Sequence, residues 1–130
     1  MRYLLLCCFD ETCWNELSRN RRDQIMQEYR EVLDNLVASG HYRAGGNLAP
    51  SATATTLRER DGKPVVTDGP FAQTREQLVG YHLVECRDLD AALAIARRIP
   101  TLPAGGAIEV RPLALESTHD SRSARWNSCA

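Results

Sequence analysis

Two segments of the chain carry apolar side chains at both odd and even positions. The first, residues 2–9, reads RYLLLCCF, and the second, residues 79–86, reads VGYHLVEC. Side chains alternate between the two faces of a strand, so a continuous apolar run places hydrophobic groups on both faces. We therefore expect two strands at the centre of a sheet, with apolar surface on each side.

Two helices are predicted from apolar residues spaced three and four positions apart. Ser18 is a candidate N-cap for a helix from about residue 19 to residue 39, and Gly40 follows as its candidate C-terminal stop. The apolar stripe of this helix comprises Ile25, Tyr29, Val32, Leu33 and Leu36. Asp88 is the candidate N-cap of a second helix over 89–99. The predicted inner side of the second helix comprises Leu89, Ala92, Leu93, Ala96 and Ile99.

A β-hairpin is predicted in the middle of the chain. Segments 53–60 and 63–68 flank the dipeptide Asp61-Gly62, which suits a two-residue turn of type I′. Such a turn fixes the register of the two strands. The resulting pairs are Arg60 with Lys63, Leu57 with Val66, and Thr55 with Asp68.

The remaining segments complete one domain. Residues 10–17 are predicted to be a connector with one helical turn around Trp14, 41–51 a loop, and 107–113 the last strand. The order β-α-β-β-β-α-β indicates an α+β fold, in which the hairpin is inserted into a ferredoxin-like β-α-β-β-α-β plan. Residues 117–130 show no periodicity, so we expect a mobile tail after a domain of 1–116.

One face of the predicted sheet has nothing to cover it. Right-handed crossovers place both helices on one side of a single antiparallel sheet. The central strands are nevertheless apolar on both faces, and a large exposed apolar surface is unusual for a monomer. The pattern therefore predicts a homodimer in which a second copy covers the bare face.

Composition and charge exclude several classes of partner. The formal net charge is −1 with both signs interspersed, so we expect no binding to nucleic acid or to an anionic membrane surface. Apolar runs are too short for a membrane span or a signal peptide, which favours a cytoplasmic, bacterial protein. The five cysteines form no C-x-x-C pair. Adjacent Cys7 and Cys8 point to opposite strand faces and cannot both bind one metal ion, so we predict no metal site. We also expect no cofactor.

The segment Asp68-Gly69-Pro70-Phe71 carries a family resemblance. Other matching segments are Arg2 to Leu6, Gly40 to Pro50, Gly80-Tyr81 and Glu109 to Pro112. With these segments the chain resembles the YCII-related (DGPF) family, whose members form dimeric α+β barrels. The resemblance implies such a dimer and, because family genes often neighbour those of extracytoplasmic-function sigma factors, a regulatory link. A histidine proposed as catalytic in the wider group has no counterpart here, since residues 14–39 contain none.

Six residues are candidates for a functional site. Asp68 is either a general base or a cap of the Gly69-Pro70 turn, and His82 either lines a cavity or is a satisfied core residue. Arg75 and Arg111 are candidate anion-binding groups, although Arg111 can also pair with Glu109 on the same strand face. Tyr81 and Phe71 are candidate aromatic contacts to a ligand.

Two functional classes remain open from these residues. The first, which the missing helical histidine favours, is a homodimer that binds a small ligand or serves a regulatory partner. The second is a cofactor-free isomerase or lyase that acts on a small polar or aromatic acid in the dimer cavity, with Asp68 as base and an arginine on the carboxylate.

Overall fold

A computed structural model describes residues 1–114 of the protein. The predicted tail, 117–130, lies outside the described residues. The strands are β1 (Arg2–Asp10), β2 (Tyr42–Asn47), β3 (Thr55–Arg60), β4 (Lys63–Asp68), β5 (Glu76–Glu85) and β6 (Ala107–Pro112). The helices are α1 (Glu11–Glu16), α2 (Arg19–Ala38) and α3 (Leu89–Ala96), with a 3₁₀ turn at Ser51–Thr53.

Four strands form one antiparallel sheet in the order β2-β5-β1-β6, and β3 pairs with β4 in a separate two-stranded sheet. This α+β arrangement is compatible with the predicted ferredoxin-like plan. The prediction of a loop over 41–51 is wrong for its first part, because residues 42–47 form the edge strand β2. The glycines of that strand have low intrinsic strand preference, so β2 exists through its pairing with β5.

The hydrophobic core lies between the sheet and the helices. In β1 the odd-numbered side chains are buried and the even-numbered ones are half-buried. The core joins residues of β1, α2, β5 and α3, so both helices cover the same side of the sheet. We call the opposite side the open face; its apolar residues are Leu4, Leu6, Cys8, Leu78, Tyr81 and Leu83. The predicted homodimer would cover this face, and it stays a prediction.

The helix boundaries follow from local hydrogen bonds. Ser18 Oγ accepts the N–H of Arg21 at 3.1 Å, and an Asp88 carboxylate oxygen accepts the N–H of Ala91 at 2.9 Å. Both predicted N-caps are therefore confirmed. Gly40 has φ +78°, as a residue that ends a helix in the left-handed conformation requires.

The predicted inner side of α3 is partly wrong. Leu89 and Leu93 are exposed, whereas Ala92, Ile95 and Ala96 are buried and Ile99 is buried just beyond the helix. Residues 92, 95 and 99 share one helical stripe, since they are three and four positions apart. The helix turns this stripe toward the sheet. Leu93 lies on another face of the helix, and Leu89 is its first residue.

The hairpin has the predicted register. Leu57 pairs with Val66 and Thr55 with Asp68, and the turn residues Asp61 and Gly62 have φ of 53° and 75°. Leu57 and Val66 are 68% and 67% exposed, so this face of the hairpin does not contribute to the core. Within residues 1–114, no helix has both the length and the hydropathy needed to cross a bilayer.

Candidate functional site

A cavity of about 320 Å³ opens between α1, α2 and one end of the sheet. We call it the helix–sheet cavity. Its apolar lining comprises Cys7, Phe9, Trp14, Met26, Leu48, Pro50, Val79 and Gly80. Its polar lining comprises Glu11, Asn15, Tyr29, Asn47 and Thr101. A concave, mainly apolar site with a few polar groups is the usual form of a small-molecule site.

Helix α1 brings Trp14 to the cavity. Asp10 at the end of β1 caps this helix, since its carboxylate accepts the N–H of Thr12 at 2.9 Å. The ring of Trp14 meets the buried ring of Phe9 edge to face, with centroids 6.0 Å apart and planes at 88°. This T-shaped pair fixes an aromatic wall on one side of the cavity.

Glu11 joins α1 to the loop that follows β2. Its carboxylate accepts the backbone N–H of Ser51 at 2.9 Å and also the hydroxyl group of Ser51. Hydrogen bonds to a carboxylate are stronger than those between neutral groups. The two bonds therefore fix α1 to the segment next to Pro50, which also lines the cavity.

Three polar side chains form a buried group beside the cavity. His82 is 1% exposed, and its Nε2 shares a hydrogen bond with Oη of Tyr29. Tyr29 also interacts with the thiol of Cys7, and both of these residues line the cavity. The buried Nδ1 of His82 has no hydrogen-bond partner within the described part of the chain.

Burial keeps this group uncharged. It raises the pKa of the Cys7 thiol to about 11, although the Tyr29 hydroxyl opposes the shift. It also raises the pKa of Tyr29 and lowers the pKa of His82. Each shift favours the neutral form because a charge is costly in an apolar environment. Near neutral pH the cavity wall therefore offers a thiol and a phenol, and a neutral imidazole lies behind the phenol.

The neutral His82 predicts a loss of stability in mild acid. The histidine pKa is lowered in the folded chain but stays near 6.5 when unfolded, so unfolding takes up a proton below that pH. The free energy of unfolding should then fall by up to about 1.4 kcal/mol per pH unit as the pH drops below 6.5. Urea titrations between pH 7 and 5 measure this slope. His82→Gln should flatten it, and an equal slope in His82→Gln would assign it to other groups.

The predicted site residues do not converge. Asp68 and Phe71 line a hollow beside the hairpin, where the guanidinium of Arg58 lies 4.7 Å from the centroid of the Phe71 ring. Arg75 lines shallow clefts near the start of α1. His82 contacts the lining of the helix–sheet cavity through Tyr29. Arg75 shares its cleft with Glu11, which also lines that cavity.

The other two candidates belong to the open face. Tyr81 and Leu6 are cross-strand partners, and Leu6 pairs on its other side with Glu109. Arg111 lies two residues further along β6 and pairs with Glu109 at 2.6 Å, as the structural interpretation of this arginine predicted. Tyr81 and Arg111 are therefore separated by the full width of β1.

The predicted capping role of Asp68 is wrong. Within residues 1–114 no hydrogen bond reaches its exposed carboxylate. The backbone holds the turn instead: Gly69 N–H donates to the Ala54 carbonyl at 2.7 Å, and the Thr56 hydroxyl donates to the Gly69 carbonyl at 2.8 Å. The carboxylate of Asp68 is thus dispensable for the turn.

Asp68→Ala should consequently leave the free energy of unfolding unchanged within error. The matched control is Ser18→Ala, which removes a side chain that does cap a helix and should cost about 1 kcal/mol. Urea denaturation of the two variants beside the parent decides the point. A loss in Asp68→Ala comparable with that in Ser18→Ala would restore the capping role.

Sequence reasoning missed most of the cavity. Trp14, Glu11 and Asn47 come from a connector and from a segment interpreted as loop, and periodicity carries no information there. One local signal for α1 is present in the sequence. Asp10 is a typical N-cap residue, and it places the start of the helix at the end of β1.

Comparison with known proteins gives the family. The sequence profile of the YCII-related domain matches residues 1–116. An uncharacterized protein of Rhizobium meliloti (strain 1021) is 40% identical over 116 residues, which cover 88% of this chain and 94% of that relative. These matches confirm the resemblance carried by the Asp68-to-Phe71 signature. The chain belongs to the YCII-related domain family.

Proposed function

We propose that this protein is a homodimer that binds a small molecule in the helix–sheet cavity without transforming it. The cavity carries the proposal: it has about 320 Å³, an aromatic wall and only a few polar groups. Those are the features of sites that bind small, mainly apolar ligands. The side-chain amides of Asn15 and Asn47 make no hydrogen bond within residues 1–114 and are available to orient a ligand.

The state of the buried groups favours binding over catalysis. A general base or nucleophile works best when its pKa lies near the operating pH. The pKa of Cys7 is raised to about 11, that of Tyr29 is also raised, and that of His82 is lowered. A thiol so seldom ionised is a poor nucleophile. Burial thus makes these groups good hydrogen-bonding partners and poor proton-transfer agents.

The isomerase or lyase considered from the sequence has less support. Its base, Asp68, lines the hollow beside the hairpin, whereas Arg75 lines the clefts near α1. The other anion-binding group, Arg111, pairs with Glu109 on β6. Proton abstraction requires the base within hydrogen-bond reach of a substrate held by its partner groups. The sigma-factor link stays a prediction, and a regulatory role would require the ligand to alter a surface of the protein.

The open face supports the proposed dimer. Leu4, Leu6 and Leu83 on neighbouring strands form a contiguous apolar surface with Tyr81. Contiguous apolar patches of this kind mark protein interfaces more often than they occur on free surfaces. The cavity opens on the helix side of the sheet, so a dimer formed through the open face would leave the cavity accessible.

A fragment screen with a blocked variant tests ligand binding. Small aromatic fragments should shift the amide NMR signals of α1 and α2 in the parent chain. Asn15→Trp adds a bulky ring at the cavity lining and should abolish these shifts. Asn20→Trp places the same ring on the exposed start of α2, away from the cavity, and should retain them. Shifts that persist in Asn15→Trp would contradict the proposal.

A further inference from the structure

We infer that the ligand of the helix–sheet cavity is an organic cation, an amine attached to an aromatic or other apolar body. This inference rests on the proposed function and names the chemical class that the cavity takes. Three properties of the cavity lining support it: its charge, its aromatic rings and its unused hydrogen-bond acceptors.

The lining carries negative charge alone. Among the described residues that line the cavity, Glu11 is the one charged side chain, and none is Arg, Lys or His. An anionic ligand would meet the Glu11 carboxylate without a compensating cation in the lining, and desolvating a like-charged pair is unfavourable. A cationic ligand would meet an opposite charge at the same position.

Glu11 keeps the capacity to bind an ammonium group. A carboxylate accepts about four hydrogen bonds. Ser51 supplies two to Glu11, through its N–H and its hydroxyl group. The same two bonds hold the carboxylate in a fixed position, so a ligand N–H would meet an acceptor that is already oriented.

The aromatic wall adds to this preference. Phe9, Trp14 and Tyr29 all line the cavity, and the Phe9–Trp14 pair is held perpendicular. Aromatic faces attract cations, with Trp the strongest of the three. The rings also bury the apolar body of the ligand. A carboxylate beside several aromatic rings can bind the ammonium group of an amine and bury its apolar substituent.

Arg75 lines a neighbouring cleft that Glu11 and Ser51 also line, so it competes for the Glu11 carboxylate. A second competing charge is Arg22. It lies on α2 one turn before Met26, and its buried Nε has no hydrogen-bond partner within residues 1–114. Arg22 is not part of the cavity lining. If its guanidinium entered the cavity, the site would favour an acid, and the experiment therefore includes one.

Three ligands of one shape separate these outcomes. Phenethylamine, 2-phenylethanol and phenylacetate share a phenyl ring on a short chain and differ in charge at neutral pH. Dissociation constants from NMR titration of the α1 and α2 amides should be about tenfold lower for the amine than for the alcohol. The acid should bind more weakly than the alcohol. Glu11→Gln, which keeps the size of the side chain, should remove most of the amine's advantage.

Equal binding of amine and alcohol, or tighter binding of the acid, overturns the inference and leaves the proposed function standing. The absence of binding by all three at millimolar concentration overturns both. If Glu11→Gln fails to fold, the amine's advantage in the parent chain should shrink between 20 mM and 500 mM salt, as an ion pair requires. If the ratio of the two dissociation constants does not change with salt concentration, the role of Glu11 is contradicted.

Discussion

Gly45→Ala should lower the free energy of unfolding by about 2 to 3 kcal/mol, the upper part of the range for overpacked cores. A Cβ at residue 45 would lie 2.4 Å from Nδ1 of His82, 2.6 Å from Oη of Tyr42 and 2.7 Å from the backbone oxygen of Tyr81. His82 cannot move away, because it is buried and hydrogen-bonded to Tyr29. The extra methyl group must displace β2 or disrupt the buried polar group.

Gly46→Ala is the matched control on the same strand. The atoms nearest to a Cβ there belong to the Tyr81 side chain, at 3.7 to 3.9 Å, which is ordinary van der Waals contact. Its stability should match that of the parent closely. Urea denaturation of both variants gives the comparison. If both variants lose the same free energy of unfolding, glycine serves strand β2 through its backbone freedom. If Gly45→Ala is as stable as the parent, the core accommodates the methyl group.

The hairpin and the helix caps could be predicted because their signals are local. Asp61 and Gly62 specify a turn type, and a turn of two residues fixes every pair of the two strands. Ser18 likewise specifies where α2 begins, through one hydrogen bond three residues away. These features depend on neighbours in sequence, so a single sequence contains the information.

Strand β2 could not be predicted because its signal is not local. Gly45 weakens a strand by intrinsic preference, yet it is required where β2 passes His82 of β5. The requirement comes from a residue 37 positions later in the chain. From sequence, two adjacent glycines after a helix are typical of a loop.

The candidate site shows the same limit. His82 is buried, as one of its two interpretations predicts, although its Nδ1 has no partner among the described residues. Its partner Tyr29 is predicted from sequence only as part of an apolar helix stripe. The pairing depends on how α2 lies across the sheet, which no spacing along the chain specifies. Phe71 and Asp68 carry the family signature in the sequence, yet the structure places them beside the hairpin, away from the helix–sheet cavity.

Leu83→Lys should convert the proposed homodimer into a folded monomer. Leu83 lies on the open face, and its cross-strand neighbours on both sides, Leu4 and Ala44, are apolar. Glu85, two residues along the strand, already pairs with Arg2 and Arg43 at 3.2 and 3.1 Å. The new ammonium group would therefore be buried without a partner in the dimer, whereas in the monomer it reaches water. Burial of an unpaired charge costs several kcal/mol, so the dimer dissociation constant should rise at least about 100-fold.

Val37→Lys is the matched control for assembly. Val37 is also an exposed apolar residue, but it lies on α2, on the other side of the sheet. Sedimentation equilibrium at micromolar concentration should report a dimer for the parent and for Val37→Lys, and a monomer for Leu83→Lys with its circular dichroism unchanged. A parent chain that sediments as a folded monomer would remove the dimer from the proposed function. A dimer that survives Leu83→Lys would have to form through another surface, and the exposed Leu57–Val66 face of the hairpin would be the next to test.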